Sequence, residues 1–130
     1  MIVALVEVCC KNGLTDEGLD ILNEALSRSE KISHLQAEFY RLKGELTVLK
    51  DPRSEPEAER YIRQAIDVAR RQAARLFELR ATTSLARLLA KRGHRDEACT
   101  ILSDIYNWFT EGFELPDLKE AKELLEQLNG

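Results

Sequence analysis

The sequence predicts an all-α fold made of paired helices, and three observations predict it. Only three prolines and six glycines punctuate 130 residues, too few breaks for a chain of many turns. Apolar residues recur at helical spacing, as in Leu19, Leu22 and Leu26 or Ala58, Ile62, Ala65, Ile66 and Ala69, the i, i+3, i+4, i+7 stripe of a half-buried helix. A short pattern of small and large apolar residues also returns at a spacing of 40, and no run alternates in the way a half-buried strand requires.

Start and stop signals divide the chain into seven helices, near 2–12, 15–30, 33–50, 56–72, 76–92, 95–110 and 116–128. The first ends at Gly13, where a residue with positive φ closes a helix cheaply. The second opens with Thr15 as cap and with Asp16 and Glu17 in its positive first turn. Ser33 and Gln36 have capping-box spacing for the third. Pro52 stops that helix, and Ser54 with Glu57 opens the fourth around Pro56. The boundary within "QAARL", residues 72–76, has neither Gly nor Pro and is the least marked. Gly93 turns the fifth helix into the sixth, and Gly112 is read as the end of the sixth. Pro116 stands near the start of the last, where a missing N–H costs little, with Asp117 and Glu120 behind it. Leu118, Ala121, Leu125 and Leu128 give that helix one apolar face.

The repeat aligns three second helices without gaps. Gly18, Ala58 and Ala98 follow an acidic opening; Leu22, Ile62 and Leu102 come four residues later, and Ala25, Ala65 and Ile105 three after those. Small residues at a crossing let two helices approach, and larger neighbours one turn away fill the groove. Gly44 and Ala86, and less closely Val6, take the matching place on the first helices. On these residues the chain resembles the tetratricopeptide repeat, a helix–turn–helix unit of about 34 residues. The resemblance implies a right-handed α-α superhelix of three helix pairs, near 2–30, 33–72 and 76–110, plus a C-terminal capping helix at 116–128, all within one domain. The chain departs from the family in its 40-residue period, in lacking a proline after the second helices, and in placing Cys9, Thr47 and Leu89 where an aromatic is usual. "FYRLKGEL", "ELRATTSLARLLAKRG" and "IYNWFTEGFELPDLKEAKELL" further resemble the C-terminal repeat region of large bacterial regulators that carry cyclase-like or transcription-factor domains beside an ATPase. That resemblance implies a segment of a larger signalling protein. The residues show no phosphate-binding glycine loop and no cyclase metal carboxylates, so no catalytic function is carried over.

Charge is uneven along the chain. Residues 1–59 carry 7 Lys/Arg against 12 Asp/Glu, residues 60–95 carry 10 against 2, and residues 96–130 carry 2 against 9. The plain reading is that oppositely charged helices pack side by side. The sharper one is a basic surface for an acidic partner. Nucleic acid is disfavoured, because no aromatic interleaves with the arginines for base stacking. No apolar run approaches the roughly 18 residues of a membrane span. "MIVALVEVCC" carries Glu7 and lacks a basic start, a poor secretion signal. Three cysteines do not suggest a disulfide framework, and a reducing cytoplasm is expected.

No catalytic, metal or cofactor set is expected. His34 and His94 lie far apart, and Cys9 and Cys10 are adjacent, with Cys99 remote, without zinc-ligand spacing. Cys9 and Cys99 read as small core residues and Cys10 as the exposed thiol. Thr82, Thr83 and Ser84 have no histidine at a helical neighbour position; their hydroxyls are expected to bond the helix or its partner. Glu55, Glu57 and Glu59 read as a solvated helix start.

The expected function is non-catalytic protein binding. In stacked pairs the first helices line the concave face. Glu7, Cys10 and Lys11, then Glu38, Arg41, Glu45 and Val48, then Arg80, Thr83, Arg87 and Lys91 are expected there, the arginines and Lys91 receiving carboxylates from a partner protein or peptide. The alternative is self-association as a homodimer through the apolar "MIVALVEV" start. Tyr106, Trp108, Phe109 and Phe113 crowd eight residues. They read as the seal on an open-ended stack, unless Trp108 or Phe113 is left exposed.

Overall fold

The computed structural model describes the backbone of residues 2–27 and 35–129, and the side chains in those ranges except at positions 2–5 and 10. Among the described residues the chain is all-helical: α1 Ile2–Lys11, α2 Thr15–Ser27, α3 Gln36–Lys50, α4 Glu55–Arg71, α5 Arg75–Lys91, α6 Arg95–Tyr106 and α7 Pro116–Asn129, with a 3-10 turn Pro52–Ser54 before α4. The cap expected at Ser33, the exposed thiol expected at Cys10, and the apolar start at positions 1–5 lie outside the described side chains.

One turn geometry is used three times. The N–H of Leu14 donates to Cys9 O, that of Ala74 to Ala69 O and that of His94 to Leu89 O, each at 2.9 Å, the six-to-one bond that closes a helix over a left-handed residue. Gly13 (φ 73°), Ala73 (φ 54°) and Gly93 (φ 82°) are those residues. The unmarked boundary in "QAARL" is therefore the same turn with alanine in the glycine's place. The next helix follows at once: Gly18, Glu78 and Ala98 N–H groups donate to Leu14, Ala74 and His94 carbonyls. Thr15 is thus already the first residue of α2, not its cap. Ser54 precedes α4 without a side-chain capping bond. Asp51 caps instead, accepting from the Arg53 N–H of the 3-10 turn.

All nine repeat positions are buried: Gly18, Ala58 and Ala98; Leu22, Ile62 and Leu102; Ala25, Ala65 and Ile105. Val6 and Ala86 are fully covered as well. The small residues set the approach distances. A Cβ built on Gly44 would stand 2.6 Å from Ile62 Cγ1 and 2.9 Å from the Ala58 carbonyl oxygen. One built on Gly18 would stand 2.8 Å from Leu46 Cδ1 and 3.3 Å from Cys9 Cβ. These glycines are thus where α3 meets α4 and where α2 meets both α1 and α3.

The odd-numbered helices form one row, α1 against α3, α3 against α5 and α5 against α7. Among the described residues the even-numbered helices pack on their chain neighbours, and α4 meets α6 through the Arg63–Glu97 ion pair. One core runs through α4 to α7 and another, around Phe39, Leu22 and Val6, holds α1 to α3 together. On α7, Leu118, Ala121 and Leu124 are buried while Leu125 and Leu128 are only partly covered, which turns the expected stripe slightly.

The uneven charge is spent largely on packing. Arg63 reaches Glu97 at 3.3 Å, Arg80 reaches Asp117 at 3.0 Å, and Arg87 pairs with Glu120, joining the basic middle to the acidic end of the chain. Glu59 is not merely solvated. Arg63 and Arg92 both bond it; burial pushes its carboxyl up, but those two bonds outweigh burial and hold it below the usual range. Glu55 is half-buried, with one carboxylate oxygen covered and unpartnered among the described residues. Cys9 is buried as expected, but Cys99 is only half-buried and donates to Asn129 Oδ1 at 3.3 Å.

Candidate functional site

The row of odd-numbered helices carries an open polar groove of about 490 Å³. Glu7 and Lys11 of α1, Arg41 and Glu45 of α3, Arg80, Thr83, Ser84 and Arg87 of α5, and Asp117 and Glu120 of α7 line it. Within each helix these residues are three or four apart, save the adjacent Thr83 and Ser84, so they share a face. The residues expected from sequence at Glu7, Lys11, Arg41, Glu45, Arg80, Thr83 and Arg87 are thereby brought together. Lys91 and Val48 stand one turn further along, at a separate apolar pocket of about 240 Å³.

Two of the expected residues are not presented to solvent. Glu38 is 1% exposed. Arg41 grips it with two nitrogens, Nε at 3.2 Å and Nη2 at 2.9 Å, and Arg80 adds a third contact at 3.5 Å. Glu38 therefore anchors arginines rather than meeting a partner. Thr83 is buried, and its hydroxyl donates to Leu79 O at 2.8 Å.

The arginines already hold carboxylates of their own chain. Arg41 extends its third nitrogen to Glu45 Oε2 at 3.1 Å, and the other oxygen of Glu45 accepts from the Ser84 hydroxyl at 2.8 Å. Arg80 holds Asp117, and Arg87 holds Glu120. Burial disfavours the charged form of Arg41, but the Glu38 bond and the charges of Glu45 and Glu38 outweigh it and raise its pKa further above its ordinary value. The expectation that Arg80 and Arg87 wait for a partner's carboxylates is therefore corrected. The reason is geometric: α7 stacks on α5 as the next helix of the row, and its first turn brings two acids within reach. Glu7, Lys11 and Lys91 make no ion pair among the described residues.

Ser84, Asp117 and Glu120 complete the groove and were not named for it from sequence. Asp117 and Glu120 flank the apolar stripe of α7, so a helical-wheel reading that stacked α7 on α5 could have placed them.

The aromatic stretch divides in two. Helix α6 stops at Tyr106, with Asn107 closing it, not at 110, so Trp108 and Phe109 lie in the connection to α7 and Gly112 lies within that loop. Tyr106 and Phe109 pack on the core. Trp108 is 55% and Phe113 44% exposed. Trp108 stands edge-on to Phe109 at 5.2 Å, with the Arg75 guanidinium 5.1 Å from its ring centre. Phe113 tilts against Tyr106 at 5.8 Å. The stretch thus seals with two rings and exposes two.

Among the described residues no group of three His, Cys, Asp or Glu side chains could hold a metal ion. No described helix is long and apolar enough to cross a membrane. Comparisons with protein-family models, with curated proteins and with solved structures find no match.

Proposed function

We propose that the chain is a non-catalytic interaction scaffold, a tetratricopeptide-like right-handed superhelix whose odd-numbered helices form the concave face. Through that face it binds a partner protein or another domain of a parent regulator in the cytoplasm. The observation that carries the reading is the polar groove that crosses α1, α3, α5 and α7. A partner laid along it meets side chains whose rotamers are already fixed by ion pairs, so less entropy is lost on binding. Specificity then comes from groups at the groove's rim that make no ion pair among the described residues, Glu7 and Lys11 on α1, rather than from the neutralised arginines.

The test is cross-linking and capture from cell extract with the folded chain, its Glu7→Lys/Lys11→Glu charge-swap variant, and Arg60→Glu on exposed α4 as a control outside the groove. The swap is expected to lose the captured proteins and the control to keep them. Equal capture by all three would remove the groove from consideration.

A further inference from the structure

The apolar pocket beside the groove has a shape and a charge that fit one kind of occupant. Val48 and Leu49 of α3, Ala58 and Ile62 of α4, and Leu88 of α5 form its walls. At about 240 Å³ it falls below the ~300–1,000 Å³ usual for small-molecule sites, yet it has room for one or two bulky side chains. Leu49 forms an exposed lip, 57% accessible. Of the charged groups at the mouth, Glu45 is taken by Arg41 and Ser84, and Arg87 by Glu120. Lys91 is exposed and makes no ion pair among the described residues. The mouth is therefore apolar with an uncompensated positive charge, and its complement is an apolar side chain next to a carboxylate.

The chain itself displays such a segment. The loop from α6 to α7 exposes Phe113 (44%) and Leu115 (42%) on either side of Glu114. Glu114 is itself exposed and makes no ion pair among the described residues. Two large apolar groups held out to water beside a free acid are costly to leave uncovered. We infer that the loop Phe113–Leu115 of one copy docks in the α3–α4–α5 pocket of a second copy, with its Glu114 on Lys91. Reciprocal exchange closes the contact into a two-fold dimer. This contact is independent of the scaffold reading, since it uses neither Glu7 nor Lys11.

Sedimentation velocity of the full chain over the micromolar-to-millimolar range tests it. The wild type is expected to self-associate. Lys91→Glu and Glu114→Lys, both at exposed positions, are each expected to weaken association at least about tenfold, as hot-spot changes do, with unchanged circular dichroism and melting. Mixing the two variants is the decisive arm. One loop then meets a native pocket and the other meets a reversed ion pair, so the mixture is expected to associate where each variant alone does not. Phe113→Ser is expected to abolish association both alone and in the mixture. A wild type that stays monomeric throughout overturns the inference. So does association that survives Phe113→Ser, or variants that fail to complement.

Discussion

Replacing Gly44 with alanine adds one methyl group where α3 crosses α4. At an uncrowded helix position the change stabilises, because alanine is better than glycine in a helix interior by about 0.8–1 kcal/mol. At Gly44 the added Cβ would meet Ile62 Cγ1 at 2.6 Å and the Ala58 carbonyl oxygen at 2.9 Å. The first is a γ-carbon of a β-branched side chain whose χ1 is stiff in a helix, and the second is the backbone itself, so neither gives way easily. Overpacking of this kind costs about 1–3 kcal/mol, and the upper end applies because both contacts resist. Setting about 3 against about 1 leaves a net loss of about 2 kcal/mol. Thermal unfolding followed by far-ultraviolet circular dichroism should show a midpoint lowered by about 5–10 °C for a domain of this size. The sign is decisive. A midpoint that rises would mean the helices do not approach as closely as the small-residue pattern requires, and the account of the repeat would fail with it.

The left-handed turn gives the opposite expectation at Ala73, whose φ of 54° costs a non-glycine residue about 1–2 kcal/mol. Ala73→Gly removes that cost and adds about 0.4–1 kcal/mol of unfolded-state entropy, so urea titration should show a gain of up to about 1 kcal/mol; a loss would contradict the shared turn geometry. Glu38→Gln takes the buried negative charge from between Arg41 and Arg80 and should cost about 3 kcal/mol, the lower end for a broken buried pair because both arginines keep other partners. A near-neutral result in the same titration would show that the pair contributes little. Glu59 carries a pH signature. Its folded carboxyl lies below the unfolded value of about 4.3, so its contribution is complete above that value and is lost as pH falls through the folded value. Glu59→Gln should therefore flatten the acid limb of a stability–pH profile, and parallel acid limbs would exclude the two-arginine cradle.

Local signals marked most of what the structure shows. Helical periodicity placed every described helix, because an amphipathic stripe must bury one face whatever it packs against. The nine repeat positions are buried because the small residues let the helices approach and the larger ones one turn away fill the groove. Local signals failed where a long-range contact decides. "QAARL" has no glycine, yet Ala73 takes the left-handed conformation, its turn closed by bonds from Ala73 and Ala74 N–H to the Arg70 and Ala69 carbonyls between the packed α4 and α5. The sixth helix stops at Tyr106 although its aromatic run continues, because Tyr106 and Phe109 are drawn onto the core and the chain must bend to let them reach it.

The sequence by itself determined the class, the helices found among the described residues and the charged face of α1, α3 and α5, since all three follow from spacing along one chain. Only the tertiary structure decided what those charges do. Arg80 and Arg87 read as open hands for a partner's carboxylates until α7 lies beside α5 and Asp117 and Glu120 fill them. Among the described residues the same packing leaves Lys91 and Glu114 without ion-pair partners, a pairing that no periodicity reveals because it depends on which side chains are already satisfied in space.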